Sequence, residues 1–191
     1  MQLTHRGTLT TPLRVRSAAV TVALVVAFAL LTALAAQIRI PLPFTPVPIT
    51  GQTFAVLLAG AALGSWAGAG SQALYLAMGF AGFPVFAGGE GGWEYATGPT
   101  FGYLVGFVAA AWIVGLLAER GQDRSPWTAI PAFLAGTLVI YVFGVTWLLR
   151  TVPAIGSLGD ALALGVAPFV VGDLLKALAA GVLLPAAWRL R

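Results

Sequence analysis

Long uncharged segments separated by short polar ones dominate the pattern of this chain. Residues 18–36 carry no charge and suffice for one membrane-spanning helix, span 1, since such a helix needs about 20 residues. Residues 40–89 also lack charges and are too long for one span. A turn at residues 63–65 would divide them into two helices, span 2 at Gln52–Leu63 and span 3 at residues 66–80. The first of these is short for a hydrocarbon core about 30 Å thick.

Three further apolar segments predict spans 4, 5 and 6, at residues 101–118, 127–147 and 166–188. Pro168 and Pro185 interrupt the last span. A loop that contains Arg150 and Asp160 is expected before it. Two other stretches are predicted to be loops: the proline-rich residues 41–48, where a regular helix is excluded, and the glycine-rich residues 82–92.

Two parts of this pattern admit an alternative. Residues 33–35 (ALA) resemble a signal-peptide cleavage site, although a signal h-region has about 7–15 residues and span 1 is longer. The short spans 2 and 3 also fit a re-entrant pair. We expect span 1 to be retained and both short helices to cross.

Composition favours an integral membrane protein, since 59% of the 191 residues are hydrophobic and 8% are charged, against about 25% charged in soluble domains. The predicted fold is all-α, with six transmembrane helices. Residues 1–16 are expected to form a mobile cytoplasmic tail and residues 17–191 a single membrane domain. The net charge of +4 indicates topology and contact with the lipid bilayer, and no nucleic-acid partner.

The arginines predict the orientation. With the N-terminus inside, seven arginines occupy cytoplasmic segments and two occupy external ones, which follows the positive-inside rule. Both termini are therefore expected in the cytoplasm, and the proline-rich and glycine-rich loops outside. The cytoplasmic set is Arg6, Arg14, Arg16, Arg120, Arg124, Arg189 and Arg191; the external set is Arg39 and Arg150.

Several kinds of chemistry are not expected. Cysteine is absent, and the single histidine, His5, has no neighbouring ligand for a metal. The sequence contains neither a P-loop motif nor H-E-x-x-H. We therefore expect no metal, no cofactor and no enzymatic activity.

Two opposite charges lie inside span 6. Asp173 and Lys176 are three residues apart, so they share one helix face. Each charge alone would cost about 2.5–3.5 kcal/mol at the centre of a membrane helix, and such residues commonly mark functional paths. The favoured hypothesis is a ligand site in which the carboxylate accepts N–H bonds and the ammonium donates to oxygens. A structural ion pair and a proton relay are the alternatives.

Small residues form two stripes on span 1: Ala19, Ala23 and Ala27, and separately Ala29 and Ala33. Alanines four residues apart let another helix pack closely. The partner is either another subunit or another span of this chain, and the spacing favours neither.

Four motifs, in this order, resemble the BioY proteins, which are the biotin-binding S components of energy-coupling factor transporters. They are PLPFTPVPITGQTFAVLLAGAALG, GFPVFAGGEGG, GPTFGYLVGF and GDLLKA. The resemblance covers about residues 20–185. It implies a six-helix membrane fold in the plasma membrane of a prokaryote and capture of biotin from outside.

The resemblance also implies partners and site residues. A transmembrane coupling protein and two ATP-binding-cassette ATPases would supply the ATP hydrolysis, and an alanine stripe of span 1 would dock on the coupling protein. Some members of the family are proposed to work without ATPases, as oligomers. The implied ligand contacts are Asp173 and Lys176, the wall residues are Phe86, Gly88, Gly89 and Tyr103, and the lid is residues 44–52 with Phe44 and Gln52.

The implied pose has Asp173 accepting a ureido N–H of biotin while Lys176 donates to a ligand oxygen. Two alternative functions remain at this point. The first is a self-sufficient secondary carrier that uses Asp173 as a proton site. The second is a structural membrane protein whose ion pair is inert.

Overall fold

The computed structural model describes residues 8–9, 17–96 and 98–189. Within these ranges the chain forms eight helices and one two-stranded hairpin. In chain order they are α1 (Ala18–Gln37), β1 (Arg39–Ile40), β2 (Ile49–Thr50), α2 (Gln52–Leu63), α3 (Ser65–Phe80), α4 (Trp93–Ala96), α5 (Phe101–Glu119), α6 (Pro126–Thr151), α7 (Leu158–Gly165) and α8 (Val170–Arg189).

Four helices, α1, α5, α6 and α8, are long and apolar enough to cross a membrane. The predicted turn between the two short helices is confirmed. Gly64 connects α2 to α3 with φ of 87°, a backbone conformation that glycine adopts without steric cost.

The short helix α2 is sheltered by its neighbours, since nine of its 12 residues are buried. The central helix α5 packs against α2, α3 and α6. At one end of α5, the Glu119 carboxylate accepts bonds from the backbone N–H and the hydroxyl of Ser65, at 2.8 and 3.0 Å. At the other end, the rings of Phe80 and Phe101 are 5.8 Å apart. Therefore α3 extends between the two ends of α5.

The predicted start of span 6 was wrong. Residues 166–169 form turns, and α8 begins at Val170. Pro168 explains the break, because it lacks an N–H and disfavours the helical conformation of the residue before it.

The expected loop before span 6 was also wrong in part. Helix α6 continues to Thr151, so Arg150 is helical, and residues 158–165 form α7. The hydroxyl of Ser157 caps α7 by accepting the Asp160 N–H at 3.2 Å. Asp160 thus lies in the first turn of a helix.

Two connections enclose one end of the bundle. The first loop, residues 38–51, contains the antiparallel β1–β2 hairpin, in which Arg39 pairs with Thr50. Its Thr45 hydroxyl donates to the carbonyl of Leu164 at 2.7 Å. The third loop, residues 81–100, contains the short helix α4. Neither the hairpin nor α4 was expected from the sequence.

The described arginines segregate between the two ends. Trp188 donates its indole N–H to Asp123 at 2.6 Å, and the Arg124 guanidinium lies 4.4 Å from the Trp188 ring centroid. Arg120, Arg124 and Arg189 are therefore at one end, while Arg39 and Arg150 are at the other, with the first and third loops. We call the latter the loop end.

Most of the predicted tail, with His5, Arg6, Arg14 and Arg16, lies outside the described residues, as does Arg191. Thr8 is buried and Leu9 packs against the core. These two residues are held against the bundle, which differs from the expectation of a mobile tail.

The close packing of α2 on α5 leads to a prediction. A Cβ at Gly60 would overlap the carbonyl oxygen of Ala111, whereas one at Gly70 would meet nothing within 4 Å. Overpacking costs about 1–3 kcal/mol, so Gly60→Ala should lower the midpoint of thermal unfolding in detergent. The matched Gly70→Ala variant should unfold at the wild-type midpoint or above it. Equal midpoints for the two variants would contradict this packing.

Candidate functional site

A cavity with apolar and polar lining residues lies at the loop end, between α2, α5, α6 and α8 and beneath both loops. We call it the inner cavity. Its volume is about 50 Å³. Its apolar wall consists of Val47, Pro48, Ala87, Leu104, Phe107, Ile140 and Phe169. Its polar lining consists of Thr50, Gln52, Thr53, Tyr95, Thr100, Tyr103, Tyr141, Asp173 and Lys176.

Asp173 and Lys176 form an ion pair in this lining. The distance between Lys176 Nζ and Asp173 Oδ1 is 2.7 Å. Asp173 is only 4% exposed, and 22% of the Lys176 side chain is exposed. Because α8 begins at Val170, the carboxylate lies in the first turn, where the helix dipole favours a negative charge.

All three donors of the Lys176 ammonium are used. Besides Asp173, Nζ donates to the Thr53 hydroxyl at 2.6 Å and to the Thr50 carbonyl at 3.1 Å. The amine therefore joins α8 to α2 and to the first loop. It bonds a ligand only by releasing one of these three acceptors.

The Asp173 carboxylate, in contrast, retains acceptor capacity. Oδ1 accepts from Lys176 and from the Thr53 hydroxyl, the latter at 3.1 Å, and Oδ2 accepts from the Tyr141 hydroxyl at 2.5 Å. A carboxylate has about four lone-pair sites, so Oδ2 has one to spare. The site can thus accept an N–H bond from a ligand without breaking an existing contact.

Gln52 and Tyr103, which the sequence analysis selected, both line the inner cavity. The Gln52 amide donates to the Tyr75 hydroxyl at 2.7 Å and accepts from Thr50 at 2.9 Å. The Tyr103 hydroxyl donates to the Gly165 carbonyl at 2.7 Å. Both side chains are held in place by bonds to the protein, so they shape the cavity wall.

Four other selected residues lie outside the inner cavity. Phe86 is buried in the core and stacks on Tyr95, with ring centroids 4.7 Å apart. Phe44 projects from the first loop and is 59% exposed. Gly88 and Gly89 are exposed and have φ of 86° and 74°, so they form the tight turn that follows Phe86.

Two residues of the polar network were not selected from the sequence. Tyr141 stands in the middle of an apolar span, and its hydroxyl needs a partner there. Thr53 directly follows Gln52 at the start of α2. The polar side chains of Tyr141 and Thr53 are visible in the sequence, but neither identifies Asp173 as its partner. Tyr141 is 32 positions from Asp173 and Thr53 is 120 positions from it.

A second cavity, the outer cavity, adjoins the inner one. Its volume is about 350 Å³, within the range of about 300–1,000 Å³ that is usual for ligand pockets. Pro48, Ala87, Tyr95 and Thr100 line both cavities. The charged side chains on its wall are Arg39, Glu90 and Glu94.

The two alanine stripes of α1 face different surroundings. Ala29 and Ala33 are buried on the helix that packs against α2 and α3. Ala19, Ala23 and Ala27 are exposed. Of the two stripes, only Ala19, Ala23 and Ala27 are free to meet another protein.

Comparisons with known proteins agree with one another. The sequence model of the BioY family matches residues 7–191. A protein of Pyrococcus horikoshii named "Probable biotin transporter BioY" is 42% identical over 162 residues, which cover 85% of this chain and 92% of the relative. The "Biotin transporter BioY" of Rhodobacter capsulatus is 42% identical over 164 residues, covering 81% and 85%.

A solved structure is also similar. It is described as the S-component for biotin from an ECF-type ABC transporter, and it superposes with a TM-score of 0.79 at 25% identity, over 94% of each chain.

The polar network predicts how stability responds to mutation. Lys176→Met leaves the buried Asp173 carboxylate without its counter-ion, at a cost of about 3 kcal/mol for a broken buried pair. Asp173→Asn combined with Lys176→Met removes both charges. The midpoint of thermal unfolding in detergent should be highest for wild type, lower for the double variant and lowest for Lys176→Met. A double variant less stable than Lys176→Met would refute this.

Proposed function

The chain belongs to the BioY family, and on that premise we propose that it is the biotin-binding membrane subunit of a vitamin uptake transporter. Its relatives are named biotin transporters, and the similar solved structure is a biotin S-component. The observation that carries the proposal is the inner cavity. It combines an apolar wall with a carboxylate that has acceptor capacity and an ammonium beside it.

The chemistry of biotin suits this lining. Its ureido ring has two N–H donors and one carbonyl, and its thiophane ring is apolar. In the proposed pose, a ureido N–H donates to Asp173 Oδ2. Lys176 exchanges its bond to the Thr50 carbonyl for one to the ureido oxygen, and the thiophane ring contacts Phe107, Ile140 and Phe169.

The size of the inner cavity adds a requirement. At about 50 Å³ it is much smaller than the roughly 300 Å³ of the smallest common ligand pockets. The ring system therefore enters only if the first loop moves outward. The exchange of the Thr50 carbonyl for a ligand oxygen couples that movement to binding.

We propose six transmembrane helices in the domain of residues 17–191, with both termini in the cytoplasm of a prokaryotic cell. Two observations support this. The antiparallel helices α2 and α3 extend along α5, unlike a re-entrant pair, which would return before the far end. The three described arginines opposite the loop end match the positive-inside rule, so the cavities open to the exterior.

The proposed partners are a transmembrane coupling protein and ATP-binding-cassette ATPases, which would hydrolyse ATP. The similar solved structure comes from an ECF-type ABC transporter, which supports this. The exposed stripe Ala19, Ala23 and Ala27 is the proposed docking face, because small side chains let a partner helix approach closely. Self-association remains a prediction.

Biotin binding to purified protein tests the site. Lys176→Ala should weaken binding at least tenfold, equivalent to about 1.4 kcal/mol, because it removes the donor to the ureido oxygen. Titration with biotin, and with other vitamins as competitors, measures this. Arg150→Ala is the control, since it removes a positive charge at the same end but outside both cavities. Unchanged affinity in Lys176→Ala would remove Lys176 from the site.

Uptake into cells tests the docking face. Ala23→Trp should abolish ATPase-dependent uptake while the purified protein still binds biotin with wild-type affinity, because the bulky ring blocks the partner helix. Ala179→Trp, at an alanine on α8 that is also exposed, should leave uptake intact. Wild-type uptake that persists without the ATPases and follows the proton gradient would instead support a self-sufficient carrier.

A further inference from the structure

The outer cavity contains a cation with unused hydrogen-bonding capacity. Arg39, on β1, lines this cavity and is exposed. Among the described residues, no carboxylate oxygen lies within 4.0 Å of its guanidinium, and its side chain makes no hydrogen bond. A guanidinium has five N–H donors in a planar fork that matches a carboxylate. Here that fork is available to a ligand.

The position of the guanidinium depends on a glycine. Arg39 Nη1 lies so close to Gly88 that a Cβ at this residue would overlap it. Gly88 also has φ of 86°, which disfavours other residues. The turn that follows Phe86 therefore lets the Arg39 guanidinium lie directly beside the backbone of Gly88.

The cation of the inner cavity is not available for an anionic group. In the proposed pose the one donor that Lys176 releases bonds the ureido oxygen, and the charge of Lys176 is paired with Asp173. A ligand carboxylate placed there would also meet the Asp173 carboxylate at close range. The inner cavity therefore offers an acidic tail no unpaired cation.

We propose that Arg39 is a specificity-determining residue that binds the carboxylate of the ligand tail in the outer cavity. This inference rests on the proposed function. The tail reaches Arg39 by passing Pro48, Ala87, Tyr95 and Thr100, which line both cavities. Glu90 lies on the same wall and would repel a carboxylate, so the proposed contact is with the Arg39 guanidinium.

The experiment compares two probes, biotin and biotin amide, on purified full-length protein. The amide keeps both rings but has a neutral tail. Wild type should bind both probes and prefer biotin. Arg39→Ala should weaken biotin binding at least tenfold and change the affinity for biotin amide by less than twofold. Retained amide binding also shows that the variant is folded.

Controls separate this inference from the proposed function. Lys176→Ala should weaken both probes alike, and Arg150→Ala should weaken neither. If wild type binds neither probe, the proposed function itself fails. If wild type binds both and Arg39→Ala weakens both equally, or neither, then Arg39 does not bind the carboxylate and the inference is overturned.

A neighbouring pair of glycines gives an independent test. Gly88→Ala and Gly89→Ala both introduce a side chain at positive φ, but only the first displaces Arg39, because a Cβ at Gly89 meets nothing within 4 Å. Gly88→Ala should lower the preference for biotin over biotin amide at least threefold relative to Gly89→Ala. Equal preferences in the two variants would contradict the proposal.

Discussion

One buried ion pair constrains the loop end of this molecule. Unpaired, each charge would cost several kcal/mol in an apolar interior. The chain satisfies the pair from three directions, with Thr53 on α2, Tyr141 on α6 and the Thr50 carbonyl of the first loop. The same bonds that satisfy Asp173 and Lys176 thereby fix α8 against its neighbours and join the first loop to α8. Stability and the shape of the cavity have a common origin.

The two charges differ in what they can offer a ligand. The carboxylate keeps a lone pair free, whereas the ammonium has no spare donor. A ligand with both an N–H group and a carbonyl can donate to the carboxylate and accept from the ammonium. The ammonium then gives up its bond to the Thr50 carbonyl. Because Thr50 belongs to the first loop, loss of that bond weakens the closure. In the proposed pose, binding and movement of the first loop are thus parts of one exchange of hydrogen bonds.

Sequence reasoning succeeded where the signal is local. Uncharged segments and Gly64 predicted most helix bounds within a few residues. The two charges in an apolar span predicted a ligand site, and both residues line the inner cavity. It failed where the signal is weak or distant. The eight-residue α7 has no long apolar run, and Pro168 displaced the start of α8 by four residues. Thr53 and Tyr141 reach Asp173 across contacts that no sequence spacing encodes.

A structure of the biotin complex, determined by crystallography or cryo-electron microscopy, tests the central claim most directly. The account predicts the ureido ring in the inner cavity, with one nitrogen about 2.7–3.2 Å from Asp173 Oδ2 and the ureido oxygen bonded to Lys176 in place of the Thr50 carbonyl. Biotin bound elsewhere, with the contacts of Asp173 and Lys176 unaltered, would show that the pair is only structural and would contradict the account.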